Sequence, residues 1–194
     1  MKIYILRHED RTDDCSFFAP LTKLGLEKSN NLVGIIKECK INKIFSSPFI
    51  RTLQTIDPFV RESKMQVNIE YGLEEINHED IIPKKAAGIN LPEYLAEIFN
   101  YNPNYKSHIK PSDIIFPEKT DHVKIRVKRL LRNIMTENNM NNNNILLVTH
   151  QGVCTSIIEI VKKAKPELNI NIEEYGKGKL SLVYDNDWTF KTIN

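Results

Sequence analysis

The sequence predicts one α/β domain over residues 1–194, a three-layer α/β/α sandwich with a mostly parallel central sheet. Two patterns predict this class. Short apolar stretches alternate with longer segments of helical periodicity, as in sheets covered by helices. NILLVT at 144–149 is continuously apolar, which is typical of a strand buried on both faces. The 194 residues suffice for one domain with a sizeable core and are few for two.

The first part of the chain is predicted to hold three strands and two helices. The strands are KIYIL at 2–6, NKIFSS at 42–47 and MQVNIEYGL at 65–73. The first helix follows Thr22, a residue type suited to cap a helix N-terminus. The second helix runs from about Phe49 to Ser63. We expect a bend at Pro58, because proline cannot donate to the preceding turn.

Residues 77 to about 119 break the alternation. The segment is rich in proline and has no long periodic stretch, and only LPEYLAEIF at 91–99 has helical character. We expect an irregular insertion that forms a lid over the substrate site.

The rest of the chain returns to regular elements. Helical spacing of apolar residues predicts a helix from His122 to Glu137, and another helix follows the apolar strand as far as about Lys163. LSLVY and WTFKTI, at the end of the chain, predict a hairpin. The hairpin also leaves a sheet edge that a second copy can pair with in a homodimer.

Composition excludes several classes of protein. The net charge of +2 gives no reason to expect a nucleic-acid or membrane partner. No apolar run approaches the roughly 20 residues that span a bilayer, and no signal peptide is recognised before Arg7. The three cysteines lack the spacing of a zinc site or a disulfide framework. We therefore expect a cytoplasmic protein.

Basic residues follow three of the predicted strands. The first strand ends in Arg7 and His8, the second leads to Arg51, and the buried strand ends at His150. Glu75 follows the third strand. Because the carboxyl ends of parallel strands lie at one edge of a sheet, we expect these side chains to converge.

This set of residue types predicts phosphoryl transfer. Arginine presents a planar fork of donors that matches phosphate oxygens, and a bond of this kind contributes about 1.5–3 kcal/mol. An imidazole can attack phosphorus, and cationic neighbours keep it neutral near pH 7. A carboxylic acid can then protonate the leaving oxygen.

The motifs RH, LTKLG, SSPFIRTLQT, YGLEE and LLVTHQG together resemble the histidine phosphatase superfamily, which includes the cofactor-dependent phosphoglycerate mutases. The resemblance implies a phosphoglycerate mutase-like fold with no cofactor and no metal. It also implies that His8 becomes phosphohistidine and that Arg7, Arg51 and His150 bind the phosphoryl group. Leu73-Glu74-Glu75 matches the Leu-x-Glu of the family, which makes Glu75 the general acid.

The stretch RHEDR is similar to the RHGER of a two-histidine branch of the superfamily. That branch contains the suppressor-of-T-cell-receptor-signalling phosphatases and the insect ecdysteroid-phosphate phosphatases. The resemblance implies that Arg11 also binds phosphate. It further implies a phosphomonoester hydrolase acting on phosphotyrosine, in a small molecule or a phosphoprotein, or on another bulky phosphate ester.

Two alternatives remain open on the sequence. One is a phosphotransferase of the phosphoglycerate mutase type, against which the insertion and Arg11 argue. The other is a catalytically weak phosphate-binding or assembly module. This second alternative rests on Glu9, because the family has glycine there and a carboxylate pointing toward phosphate is unfavourable. Asp185-Asn-Asp187-Trp-Thr189 matches the DxDxT of aspartate-nucleophile phosphatases, but we interpret it as a hairpin turn because only five residues follow it.

Overall fold

The computed structural model describes residues 1–14, 16–79, 91–138, 142–170 and 174–194. Within them, six strands form one sheet in the order β3-β2-β4-β1-β5-β6. The strands are β1 (Lys2–Arg7), β2 (Lys43–Ser46), β3 (Val67–Ile69), β4 (Asn144–Thr149), β5 (Leu180–Asp185) and β6 (Trp188–Thr192). Strands β1 to β4 pair in parallel, whereas β5 and β6 are antiparallel additions at one edge.

Helices connect and cover these strands. They are α1 (Lys23–Glu38), α2 (Ile50–Ser63), α3 (Glu93–Ile98), α4 (Thr120–Asn138) and α5 (Gln151–Ala164). Helix α1 begins where the sequence predicts, since the side chain of Thr22 accepts a hydrogen bond from the amide of Gly25. Helix α2 includes Pro58 within its length.

The sheet separates two apolar cores. In β1, Tyr4 and Leu6 belong to the core under α1 and α2. Ile3 and Ile5 point to the opposite face and belong to the core under α4 and α5. This alternation is the period-2 pattern of a strand buried on both sides. The three-layer α/β/α architecture predicted from the sequence is therefore confirmed.

The third strand is shorter than predicted. It covers only Val67–Ile69, and the chain then turns into a 3-10 turn at Tyr71–Leu73. The reason is Glu70, whose side chain accepts a hydrogen bond from the amide of Gly72 and draws the chain out of the strand.

Glu70 also anchors the segment predicted as an insertion. Its fully buried carboxylate accepts bonds from the Tyr105 and Ser107 hydroxyls and from the amides of His108 and Ile109. Residues 80–90 of the insertion lie outside the described residues. The rest contains α3 and a second 3-10 turn at Pro111–Asp113.

The C-terminal hairpin is confirmed. Strands β5 and β6 pair antiparallel, and Asn186 occupies the left-handed region with φ of 57° in the turn between them. The DxDxT-like stretch is therefore the hairpin turn and its second strand. In the described part of the chain, no helix is long and apolar enough to span a membrane.

Candidate active site

Three adjacent strands, β2, β4 and β1, bring their carboxyl ends to one edge of the sheet. Arg7 lies in register with Thr149, so His8 and His150 leave neighbouring strands side by side. The amide of His8 donates to the carbonyl of Thr149 at 2.9 Å. The two imidazole rings lie edge to face with centroids 5.2 Å apart. The structure thus brings the two predicted histidines into one site.

His8 is a neutral base whose orientation is set by the main chain. Its ring is 3% exposed, and Nδ1 lies 2.7 Å from the carbonyl oxygen of Glu9. A carbonyl oxygen only accepts, so Nδ1 carries the proton and Nε2 keeps its lone pair. Burial, followed by the Arg51 guanidinium, lowers the pKa of His8 to about 3. The imidazole is therefore unprotonated at neutral pH.

His150 is oriented by a side chain, through its other ring nitrogen. Its ring is fully buried, and Nε2 lies 2.8 Å from the hydroxyl of Ser47. That hydroxyl also accepts from the amide of Phe49 at 3.4 Å. The other ring nitrogen, Nδ1, is buried and has no hydrogen-bond partner among the described residues. Nδ1 is therefore the atom of His150 that is left for a bound group. Burial and the charge of Arg51 lower the pKa of His150 well below its ordinary value.

Arg7 and Arg51 are both buried beside the histidines. Arg7 donates through Nη1 to the carbonyl of Tyr175 at 2.5 Å and to the carboxylate of Glu174 at 3.2 Å. Its Nε is buried and has no hydrogen-bond partner in the part of the chain that the structure describes. Arg51 lies in the first turn of α2 over the Phe49 ring, 4.6 Å from its centroid. Both guanidiniums lower the pKa of each histidine, so their charges lie close to both rings.

Arg11 lies in the loop after β1. Its Nη1 donates to the carbonyl of Thr12 at 2.6 Å and to that of Asp14 at 3.2 Å, and its backbone bridges to Leu21. Its charge also contributes to the lowered pKa of His8. Arg11 therefore lies near enough to His8 for its charge to act on that ring.

Adjacent residues Glu74 and Glu75 have different surroundings. Glu75 is half-buried, and its Oε1 accepts from the amides of Ile76 at 3.0 Å and Gly152 at 3.3 Å. Gly152 is two residues beyond His150, so this carboxylate borders the histidine pair. A side chain at position 152 would conflict with it, because an added Cβ lies 2.7 Å from Oε1. Glu74 is buried elsewhere, and burial raises its pKa to about 7.

A buried ion pair holds the segment that carries both glutamates. Arg126 of α4 binds the two carboxylate oxygens of Glu118 at 2.9 and 2.8 Å. It also donates to the carbonyls of Gly72 and Glu74. Glu118 accepts in turn from the amide of Asn77 at 3.0 Å. The backbone on either side of Glu75 is thereby tied to α4.

The carboxylate of Glu9 packs against a glycine that precedes β5. Its oxygens lie against Gly178, where an added Cβ would overlap with Oε1. Burial raises the pKa of Glu9, and the charges of Lys28, Asp10 and Lys177 act on it in smaller measure. The alternative that rests on Glu9 stays a prediction.

Sequence reasoning missed the supporting residues of the site. Ser47, whose hydroxyl bonds Nε2 of His150, lies within the quoted motif SSPFIRTLQT but carries no signal of its own. In the same motif, Thr55 accepts from the amide of Glu9 at 3.0 Å, and Gln54 accepts from the amide of Leu21 at 2.7 Å. The polar residues of this motif therefore hold the loop after β1 to α2. Among the residues that the structure describes, no group of three His, Cys, Asp or Glu residues is arranged to hold a metal ion.

Comparison with known proteins identifies the family. The model of the histidine phosphatase superfamily (branch 1) matches residues 16–194. This match begins after Arg7 and His8, so the placement of those two residues rests on the geometry above. A search of curated proteins found no match to the sequence.

Solved structures share the fold over nearly the whole chain. The ecdysone phosphate phosphatase of Bombix mori, in complex with tungstate, superposes with a TM-score of 0.74 at 13% identity, covering 98% of this chain and 91% of that one. The phosphoglycerate mutase of Bacillus anthracis str. Sterne superposes with a TM-score of 0.65 at 18% identity, covering 99% of this chain and 92% of the mutase chain. A mutant phosphoserine phosphatase of Entamoeba histolytica, in complex with phosphoserine, superposes with a TM-score of 0.62 at 16% identity, covering 98% of this chain and 94% of the phosphatase chain.

Proposed function

Because the chain belongs to the histidine phosphatase superfamily, branch 1, we propose that it hydrolyses phosphate monoesters through a phosphohistidine on His8. The observation that carries the proposal is a pair of neighbouring buried imidazoles, with His8 held through Nδ1 by the Glu9 carbonyl and His150 held through Nε2 by the Ser47 hydroxyl. His8 presents the lone pair of Nε2, His150 presents Nδ1, and the charges of Arg7 and Arg51 act on both rings.

The first step transfers the phosphoryl group to the enzyme. Nε2 of His8 attacks phosphorus, a P–N bond forms, and the ester P–O bond breaks. Arg7, Arg51 and Arg11, with Nδ1 of His150, bind the phosphoryl oxygens and stabilise the charge of the transition state. Glu75 gives its proton to the leaving oxygen. Its Oε2, which has no protein donor among the described residues, is the oxygen suited to hold that proton.

The second step regenerates the enzyme. The Glu75 carboxylate takes a proton from a water molecule, the water oxygen attacks phosphorus, and the P–N bond breaks. Inorganic phosphate leaves, and Glu75 is again protonated. Removing one charge aimed at the phosphoryl group, as in Arg51→Ala, should cost about 3–4 kcal/mol of transition-state stabilisation.

For the substrate, we propose a bulky phosphate ester such as phosphotyrosine or an aryl or steroid phosphate. The ecdysone phosphate phosphatase shares the fold with a TM-score of 0.74, and the irregular segment beyond Asn77 is proposed as the lid that contacts the alcohol group. Phe18, which is 44% exposed beside the buried Phe17, adds an aromatic surface to the loop after β1. A phosphoprotein and a small phosphate ester both satisfy this chemistry.

Trapping the intermediate tests the proposed function. Enzyme turning over p-nitrophenyl phosphate is quenched in alkaline detergent, and the phosphorylated peptide is mapped by mass spectrometry. We expect phosphate on His8, and neither intermediate nor turnover in His8→Ala. Phosphate on another residue, or turnover retained in His8→Ala, would contradict the mechanism. An assay with phosphoglycerate and a bisphosphoglycerate primer distinguishes a mutase.

A leaving-group series tests the role of Glu75. p-Nitrophenolate leaves without a proton, whereas an alkoxide needs one. Glu75→Gln should therefore reduce kcat/KM for an alkyl phosphate at least tenfold more than for p-nitrophenyl phosphate. Glu74→Gln is the matched control and should affect the two substrates equally. Equal losses in Glu75→Gln would remove Glu75 from the role of acid.

We also propose a reducing, cytoplasmic setting, which two buried free thiols, Cys39 and Cys154, support. The exposed edge of β6 is the surface we propose for pairing in a homodimer. Sedimentation of the purified protein across a range of concentrations tests this second point.

A further inference from the structure

A groove lies between α4 and α5 and is closed at one side by Trp188 of β6. Its cavity volume is about 730 Å³, within the range of roughly 300–1,000 Å³ that is typical of ligand sites. None of its lining residues belongs to the site described above. Ile160, near its middle, is ten residues beyond His150, which is about 15 Å along a helix.

The floor of the groove is apolar. Leu131 and Met135 contribute from α4, Ile160 and Ala164 from α5, and Trp188 from the sheet. Trp188 and Ile160 are partly exposed, so the groove is open to solvent. An apolar floor of this kind favours a ligand with a hydrocarbon or aromatic body.

The rim of the groove carries a row of cations. Lys124, Lys128 and Arg132 follow one another at intervals of four along α4, and Lys163 faces them from α5. Lys124 is paired with Glu159 at 2.9 Å. Among the described residues, no ion pair involves the exposed Lys128, Arg132 or Lys163. Like charges four residues apart destabilise a helix, so an anion bound between them relieves a repulsion.

We propose that this groove binds a free, single-chain anionic amphiphile, such as a fatty acid or an alkyl phosphate. The apolar body lies along the floor, and the carboxylate or phosphate head lies between Lys128, Arg132 and Lys163. The stretch of α4 from Lys124 to Thr136 spans about 18 Å, which suits an elongated ligand. A protein partner is a poorer fit, because twelve residues line the groove, fewer than the roughly 20–30 residues that each side of a stable protein interface contributes.

Trp188 is the only tryptophan of the chain, so its fluorescence reports on the groove directly. The protein is titrated with dodecanoate and with dodecyl phosphate below their micellar concentrations, and with dodecanol as the uncharged analogue. We expect a saturable change in emission with both anions and binding at least tenfold weaker with dodecanol. No saturable change, or equal affinity for dodecanol, overturns the proposal.

Two charge reversals on α4 provide a matched pair. Arg132→Glu changes a groove residue, whereas Arg129→Glu changes an exposed arginine that faces Asp113, away from the groove. Arg132→Glu should weaken binding by about tenfold or more, because opposite charges about 4 Å apart near a surface attract by several RT. Arg129→Glu should leave binding within about twofold. Equal effects of the two variants contradict the head-group contact.

Other occupants give different results in the same experiments. Binding to anionic vesicles without binding of the monomers assigns the surface to a membrane and overturns the proposal. Self-association that Arg132→Glu abolishes assigns the groove to a second copy. Both variants should keep wild-type turnover of p-nitrophenyl phosphate, so the outcome is independent of the proposed phosphatase activity.

Discussion

Replacing Arg126 by methionine measures how far the backbone around Glu75 depends on one buried ion pair. The side chains of Arg126 and Glu118 are 5% and 1% exposed and share two hydrogen bonds. Methionine keeps a similar length and removes the charge. Glu118 is then left as a buried carboxylate whose remaining donor is the amide of Asn77.

The expected loss follows from the contacts. Removing one partner of a buried ion pair costs about 3–5 kcal/mol, because the other charge remains buried. The carbonyls of Gly72 and Glu74 also lose their donor, at about 1–3 kcal/mol for each buried group left unsatisfied. Arg126→Met should therefore lower the free energy of unfolding by at least about 4 kcal/mol, a large part of the roughly 5–15 kcal/mol of an ordinary domain.

Urea unfolding followed by circular dichroism is the assay, and Arg61→Met is the control. Arg61 also pairs with a carboxylate, that of Asp57 at 2.7 Å, but its own side chain is 65% exposed. This control should lose less than about 1 kcal/mol. If Arg126→Met loses no more than Arg61→Met, the buried pair does not hold this segment.

A milder variant and a double variant complete the experiment. Glu118→Gln keeps an acceptor and remains measurable should Arg126→Met fail to fold; we expect a loss of about 3 kcal/mol. Arg126→Met combined with Glu118→Leu removes both charges but leaves backbone groups of Gly72, Glu74 and Asn77 without partners. It should stay about 3 kcal/mol or more below wild type. Recovery to wild-type stability would show that these backbone bonds contribute nothing.

Three further predictions concern glutamates and a glycine. Glu70→Gln places an amide nitrogen, which cannot accept, among five donors. It should therefore lower the free energy of unfolding in urea by about 2–4 kcal/mol. The control Glu93→Gln, at an exposed bond to a tyrosine, should change that free energy little. Burial raises the pKa of Glu74 from 4.5 to about 7, so the folded protein holds this proton more tightly than the unfolded chain does. The contribution of Glu74 to the free energy of unfolding therefore falls by about 3 kcal/mol as the pH rises through the interval between these two pKa values. Glu74→Gln should therefore gain stability relative to wild type between pH 5 and pH 8, and a constant difference would contradict the shift. Gly178 has φ of 68°, and an added Cβ would overlap with Glu9, so Gly178→Ala should lose more than about 1 kcal/mol in thermal melts. Adding Glu9→Gly to this variant should recover the part of the loss that comes from the overlap with Glu9, but not the part that comes from the positive φ. An unchanged melting temperature in Gly178→Ala would refute the overlap.

The architecture was predictable because it follows from local pattern. Alternation of strands and helices dictates a parallel sheet, and a parallel sheet places the residues after β1 and β4 at one edge. The convergence of His8 with His150 was therefore accessible from the order of the motifs. The family assignment from the same motifs is confirmed by the match over residues 16–194.

What could not be predicted depends on contacts between distant segments. The early end of β3 results from the bond between Glu70 and Gly72, which local alternation does not encode. The direction of the Glu9 carboxylate depends on a turn at Gly178, far along the chain. The burial of Arg126 could not be predicted either, since a cation within an amphipathic helix ordinarily faces solvent.

The burial of the two histidines has a consequence for titration of the enzyme. Each ring is held by a group behind it, the Glu9 carbonyl for His8 and the Ser47 hydroxyl for His150. Burial and the charge of Arg51 lower the pKa of both imidazoles, that of His8 to about 3, so His8 stays neutral between about pH 5 and 8. A change of turnover across that interval then reports other groups, such as Glu74, whose pKa is about 7, or the phosphate ester, whose second ionisation lies near pH 6.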